Sequence, residues 1–524
     1  MNNKSLNPRY FLSISRCLVL FCALFTTSHI QANIELQREL FKDASNALSN
    51  NKIAYFSELL AQLEGYPVKP YLEYDYLVDR LQQAKVGHVE TFLQEHKDYP
   101  FVFALRSRWL SQLAIRQDWE NYLHFFDNRN SSLFKCIAFQ ARLKLGKLDN
   151  IERDIEQVWL SGESQPNECN QPFKYFLDHH AEPNKIIWLR IEKAFKARRP
   201  ALAKYLGKTL DKAGQQSVSL WYEAHQRPEK SLQHLDKASN SDINRKIIVH
   251  TIIRLARKNA LNARQFWLDM APKFDFSEQQ RNAISQRIAL SSAFQGLSIA
   301  AELLEDLADE LKTDQTFLLL ARIHLKQQNW TELVIAISEM PKHLHEENEW
   351  QYWLARATEA LGDPVSSAPI YLALASKATY YGFLAADKLK QPYKIVQESA
   401  NPLAGLDESR LLSENKHMLR ARELFFLNRG TDANREWSKA LKNLDSSGIR
   451  QAAALASSWE WHARAIKTVA KTSHRRDYNL RFPMPHREKV MSHSAAKQLD
   501  PSVIYGVMRR ESLFDSNARS PVGA

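Results

Sequence analysis

Trp350-Gln-Tyr-Trp-Leu-Ala-Arg-Ala-Thr-Glu-Ala-Leu361 is an apolar helical stretch, and Gly362-Asp363-Pro364 stops it before a second helix begins. The same unit recurs along the chain. Phe101 to Ile115 breaks at Arg116-Gln117-Asp118 before Trp119 to Phe126, and Phe134 to Leu145 breaks at Gly146-Lys147 before Leu148 to Trp159. Phe317 to Lys326 breaks at Gln328-Asn329-Trp330. Leu419 to Leu427 breaks at Asn428-Arg429-Gly430, with Thr431 as the expected cap. Where neighbouring turns can be compared the period is about thirty residues, the range of helical-hairpin solenoids. The residues at each site differ, so the repeat is structural and its sequence has decayed.

Composition agrees. There are 14 glycines and 19 prolines in 524 residues, where average usage would give about 7% glycine. Scarce turn formers with abundant Leu, Ala, Lys, Gln and Glu predict helices nearly throughout. Many of the 12 tryptophans fall on apolar stripes, which reads as core packing before sugar stacking. No phosphate-binding glycine loop and no Gly-x-Ser-x-Gly elbow occurs. His343-Leu-His345-Glu346 and His179-His180 lack metal-ligand spacing, so no metal is expected.

The N-terminus reads as a secretory signal. Lys4, Arg9 and Arg16 precede the apolar run Cys17 to Phe25, and a polar stretch leads to a cleavage site after Ala32. The apolar run falls well short of the roughly 20 residues of a spanning helix, so no stable membrane insertion is expected. Cleavage would leave Cys136 and Cys169, and two cysteines in an exported protein predict one disulfide, a free buried pair being the alternative. Closing that loop would stabilise by roughly 3–4 kcal/mol. Export also removes nucleic acid as the partner for the net charge of +12. A wall polymer carrying carboxylates fits instead, though a diffuse basic surface needs no partner.

Near the C-terminal end, Asp500 is an N-cap and Pro501 suits the first helical position. Val503, Ile504, Val507 and Met508 fall at helical spacing, Glu511 continues their stripe, and Phe514 closes it. A carboxyl set among apolar side chains is harder to ionise, which keeps an acid protonated for general-acid work. A solvated glutamate paired with a neighbouring arginine is the alternative.

Tyr505-Gly-Val-Met-Arg-Arg-Glu511-Ser-x-Phe514, followed by Ala518-x-Ser520-Pro-x-Gly-Ala524, resembles the opening of the catalytic domain of lytic transglycosylases. The resemblance implies that Glu511 is the single catalytic acid and base and that Ser520 lies in the saccharide site. Tyr380-Tyr-Gly-Phe-Leu-Ala-Ala-Asp-Lys-Leu389 resembles a stretch near the end of the superhelical part of the soluble lytic murein transglycosylases. Arg420-Ala-Arg-Glu-Leu-Phe-Phe-Leu427 with Glu436-Trp437 resembles their linker domain. Leu480-Arg-Phe-Pro-Met-Pro-His486, whose two prolines break any helix, is similar to the hinge into catalysis. The expected fold is all-α: a signal peptide over 1–32, a helical-hairpin superhelix (solenoid or ring) over 33–395, a helical linker domain over 396–480, and over 481–524 the start of a lysozyme-like domain. The family pattern continues with a Gly-Leu-Met-Gln segment that does not appear here. The resemblance therefore implies that well over roughly a hundred residues of the catalytic domain lie outside this sequence, which puts the activity of the chain as given in question.

With one acid rather than the usual pair, the resemblance implies a route in which the sugar supplies its own nucleophile. Glu511 would protonate the oxygen between N-acetylmuramic acid and N-acetylglucosamine, then deprotonate the muramic 6-hydroxyl as it closes a 1,6-anhydro ring. No cofactor is implied. The partners would be peptidoglycan glycan strands in the periplasm, and the role cell-wall turnover. Two other readings stand beside it: a helical scaffold that binds wall or partner proteins without cleaving, and a hydrolase of the goose-lysozyme type.

Overall fold

The computed structural model describes residues 34–128, 131–397, 401, 403–472, 476–516, 518–520 and 522–523. The expected signal segment lies outside them. Every regular element among the described residues is helical, and none of those helices is long and apolar enough to cross a membrane.

The turns show how so few glycines suffice. The helix Val102–Arg116 ends on Gln117 in the left-handed region (φ 56°), and the Asp118 carboxylate accepts from the Asn121 amide to open Trp119–Phe125. Asp314–Gln327 ends on Gln328 (φ 57°) before Trp330–Ser338, and Lys416–Phe426 is followed by Asn428 (φ 58°) before Gly430–Ala440. Glycine takes this role at Gly146 and Gly362. In the Trp350 repeat, Gly362 is left-handed (φ 89°), Asp363 caps Pro364–Ala375 by accepting from the Ser366 amide, and Pro364 occupies the first turn. Two details differ from the sequence reading. The helix after Gly146 begins at Ile151, because Asn150 is itself left-handed. Thr431 lies inside Gly430–Ala440, whose N-cap is Arg429 with no side-chain bond.

The chain forms two compact units, one made of the residues up to 130 together with those from 397 onward, the other of Ser131–Val396. In the second unit most helices pack on the next, and from Lys212–Gln226 onward the first helices of successive hairpins also stack on one another. Lys212–Gln226 touches Asp242–Lys258, which touches Glu278–Phe294, which touches Asp314–Gln327. This is how stacked hairpins bury a continuous core, here built from residues such as Phe195, Trp221, Ile248 and Ile284. Cys136 and Cys169 are joined by a disulfide inside that core, with Cα atoms 4.8 Å apart and both side chains fully buried. Gly382, in Tyr380–Leu389, is required by contact: a Cβ there would lie 2.0 Å from the Lys377 carbonyl oxygen.

In the first unit the early helices dock on Lys416–Phe426 and Gly430–Ala440 through buried charge. Glu423, 1% exposed, accepts from Arg38 Nε (2.8 Å) and Nη2 (3.0 Å), from the Tyr66 hydroxyl (2.9 Å) and from Arg422 Nε (2.9 Å). Glu436, fully buried, accepts from the Tyr71 hydroxyl at 2.8 Å and bonds the His417 ring. Arg420 reaches Asp98 at 3.1 Å and lies 3.6 Å over the Tyr99 ring. Arg429 forks onto Asp75 at 2.6 and 3.3 Å. The linker-like motif residues are thus the ones that hold residues 34–128 against the region after 410. No tryptophan of the chain is exposed and Trp109, Trp350 and Trp437 are wholly buried, so these rings serve the core.

Candidate active site

The segment that carries Glu511 is built from a hinge and one helix. Asp500 accepts from the Ser502 amide at 2.8 Å and Pro501 opens the helix Pro501–Ser512. One side of this helix is tied back to the hinge. The Tyr505 hydroxyl donates to the Pro485 carbonyl at 3.1 Å, and Arg509 Nε donates to the Arg481 carbonyl at 3.0 Å while its guanidinium lies 4.7 Å over the Phe482 ring. Pro485 has no N–H to give the Arg481 carbonyl a helical partner, and the Glu511 helix bonds that carbonyl and the one of Pro485 itself.

The apolar stripe divides. Ile504 and Met508 are half-buried, whereas Val503 and Val507 are 59% and 57% exposed, and Glu511, one turn beyond Val507, shares their open face. The helix ends at Ser512, because Leu513 (φ 52°) and Phe514 (φ 66°) are both left-handed. Phe514 therefore does not continue the stripe. It turns under the helix, its ring 6.3 Å from Tyr505 and 6.4 Å from His462. Glu511 makes no ion pair among the described residues, so neither Arg509 nor Arg510 neutralises it. Ser520 lies beyond this turn, half-buried, its hydroxyl accepting from the Val522 amide at 3.3 Å and its carbonyl from the Gly523 amide at 2.9 Å.

No group of three or more His, Cys, Asp or Glu side chains among the described residues is placed to hold a metal. His343 pairs with Asp314 at 2.8 Å and His179 bonds the Tyr175 carbonyl, both on exposed ground. The sequence reading missed the buried carboxylates of the first unit, because their partners lie 357 to 385 positions away.

Residues 411–474 match the model of the soluble lytic murein transglycosylase L domain. The soluble lytic murein transglycosylase of Salmonella typhimurium is 24% identical over 519 residues, covering 98% of this chain and 79% of that protein. The 70-kDa soluble lytic transglycosylase of Escherichia coli superposes with a TM-score of 0.79 at 23% identity over 94% of this chain and 79% of its own, which supports the fold. An inactive glutamate-to-glutamine variant of the lytic transglycosylase Slt of Pseudomonas aeruginosa also superposes with a TM-score of 0.79. It is 30% identical, over 93% of this chain and 79% of that one. Identity at that level over most of both chains, with the linker-domain match, makes this chain a member of the soluble lytic murein transglycosylase family.

Proposed function

We propose that Glu511 is the single acid and base with which this family member cleaves the β-1,4 bond between N-acetylmuramic acid and N-acetylglucosamine in peptidoglycan. Its protonated carboxyl gives a proton to the bridging oxygen as the C1–O bond breaks. The carboxylate then takes the muramic 6-hydroxyl proton as O6 closes on C1. The acid is regenerated, no water is consumed, and a 1,6-anhydro end remains. Ser520 belongs to the saccharide site. Residues 33–395 and 396–480 serve as superhelix and linker that hold the glycan strand, and 481–524 opens the catalytic domain. Export with cleavage after Ala32 places the protein in the periplasm, in wall turnover.

One observation carries this reading. The only glutamate of the motif sits in the last turn of a helix pinned to the hinge, with its carboxylate unclaimed by any cation among the described residues. The inactive relative, altered at one glutamate, supports the same economy. The openness of the Val503–Val507–Glu511 face favours a second reading, a scaffold that binds murein without cleaving it. Incubation with murein sacculi and analysis of the muropeptides separates them. Anhydro ends that fall about 10²–10⁴-fold in Glu511→Gln support the proposal. Reducing ends point to a hydrolase, and anhydro product undiminished in Glu511→Gln removes Glu511 from the chemistry.

A further inference from the structure

The second unit contains a cavity of about 610 Å³ between Pro183–Lys196, Lys212–Gln226, Asp242–Lys258 and Glu278–Phe294. Two of its lining residues, Phe195 and Trp221, stack with ring centroids 4.7 Å apart. Its two acidic lining residues are already engaged, since Glu192 and Asp242 both pair with Lys246, at 2.7 and 2.9 Å. The remaining charge is positive. Arg198, Arg254 and Arg257 line the cavity and form no ion pair among the described residues. Arg254 Nε and Trp221 Nε1 are buried without a hydrogen-bond partner, and Trp221 as a whole is only 4% exposed.

The electrostatics describe a site that lacks its counter-charge. Burial first, then the neighbouring guanidinium of Arg198, lowers the pKa of Arg254; Arg257 is lowered by burial and then by Arg287, Arg198 and Arg254. No carboxylate offsets these effects. His250, which bonds His225 at 3.1 Å, is held neutral, at about 3, by burial first and then by His225, Arg254 and Arg257. A helix C-terminus favours a cation nearby, which accounts for Arg257 and for Arg198 one at a time. It does not account for three guanidinium groups meeting at one cavity beside an orphaned indole N–H. Planar guanidinium donors match a carboxylate's two oxygens, and an aromatic wall suits an apolar or ring-bearing body.

We propose that this cavity binds a carboxylate-bearing ligand and, on the murein reading of the function, the acidic peptide that hangs from the glycan strand. The site lies in the second unit, outside the segment that carries Glu511, so it acts by retaining the strand.

Calorimetric titration of the full chain with L-alanyl-γ-D-glutamyl-diaminopimelate tests it, with neutral chitotetraose and inorganic phosphate as the other two titrants. The tripeptide should bind saturably. Arg254→Gln and Arg257→Gln should each weaken it by about tenfold or more, and raising salt from about 50 to about 300 mM should weaken it further. Arg257 is exposed and unpaired, so its variant will fold. Chitotetraose should respond to neither substitution. Peptide binding equal in both variants, or no saturable peptide binding, overturns the site. Phosphate binding as tightly as the tripeptide overturns the assignment to a carboxylated peptide. The titration is read without turnover, and Glu511→Gln should leave it unchanged. Failure here therefore leaves the catalytic reading standing, and the reverse holds too.

Discussion

Glu423 offers the sharpest test of how the first unit is held together. It lies 1% exposed and gathers four donors, two from Arg38 and one each from Tyr66 and Arg422. Burial raises its pKa, but the Arg38 hydrogen bonds and the charges of Arg422 and Arg38 outweigh this and hold it below the ordinary glutamate range. Glu423→Gln keeps the shape and removes the charge. Arg422 retains Glu408 at 3.4 Å, and Arg38 keeps its stacking 4.4 Å over Phe426 but loses its carboxylate. Breaking a buried pair costs about 3–5 kcal/mol; the amide oxygen still accepts from Tyr66 or Arg38, so we expect the lower end, about 3 kcal/mol. At an m-value of about 2 kcal/mol/M that moves the urea midpoint of the first unit by about 1.5 M. Hydrogen exchange should show lost protection in helix 34–49 and in Lys416–Phe426, with the second unit unaffected. In a double-mutant cycle, Arg38→Met with Glu423→Met should cost less than the sum of the two, since no charge is then left stranded. A shift in Glu423→Gln below about 1 kcal/mol would show that the docking rests on apolar contact and would refute the charge argument.

The left-handed turns predict that Gln328→Gly stabilises by roughly 0.5–1 kcal/mol, the relief of strain exceeding the added chain entropy, read as a higher thermal midpoint; a lower one refutes it. Gly382→Ala should cost about 2 kcal/mol or more, because its Cβ would meet the Lys377 carbonyl at 2.0 Å; an unchanged midpoint refutes that. The two units should fail at different acidities. His225 and His250 are held at about 4 and about 3, by burial first. The unfolded chain therefore takes up protons before the folded one, and the second unit loses stability as pH falls from about 6.5. Asp98, where the Lys416, His417 and Arg420 contacts outweigh burial and hold the pKa at about 2, and Glu423 are depressed carboxylates. Their contribution is intact above about 4 and is lost below it. Burial also lowers His96 and His462 of the first unit, but less far than His225 and His250, so the first unit should lose less above about pH 4 and give way later. Exchange profiles at stepped pH check the order, and loss of the first unit before the second refutes it. Thiol titration of the denatured, unreduced protein should find Cys136 and Cys169 unavailable, and reactive thiols would show that they are not bonded.

What the sequence made legible is local. The αα-hairpins could be read because each turn carries its own signal within three residues, Gly362-Asp363-Pro364 most plainly, and those signals act without help from the rest of the fold. Boundaries slipped where a side chain had two possible roles. Asn150 could have been helix or turn, and Thr431 cap or first-turn residue. The stripe through Glu511 was legible as a period but not as an environment. Period fixes which residues share a face, whereas cover depends on what packs there, and here the hinge is bonded by Tyr505 and Arg509 while Val503, Val507 and Glu511 stay exposed. The docking charges of the first unit had no local signature, since Tyr71 and Glu436 are 365 positions apart. The Arg198, Arg254 and Arg257 cavity was hidden for the same reason, its walls coming from four separate helices.

On the proposed role of Glu511, burial alone would point to a different acid. Glu423 and Glu436 are the buried glutamates of the first unit among the described residues, and a search for a perturbed glutamate would stop there. Yet a general acid must hold a proton and give it up, and each of these is surrounded by donors that already supply protons to its oxygens. Glu423 is tied by two guanidinium groups and a phenol, Glu436 by a phenol and an imidazole, with Arg420 at 3.8 Å from it. Acceptors in such a cage hold elements together and have no free oxygen from which to pass a proton to a substrate. Glu511 has the opposite character. It lies at the end of a pinned helix, open on one face and free of any neutralising cation among the described residues. A covering surface of apolar atoms, or a seated sugar, excludes water from a carboxyl and favours the uncharged form. Seating of the glycan would then make the acid as well as present the bond.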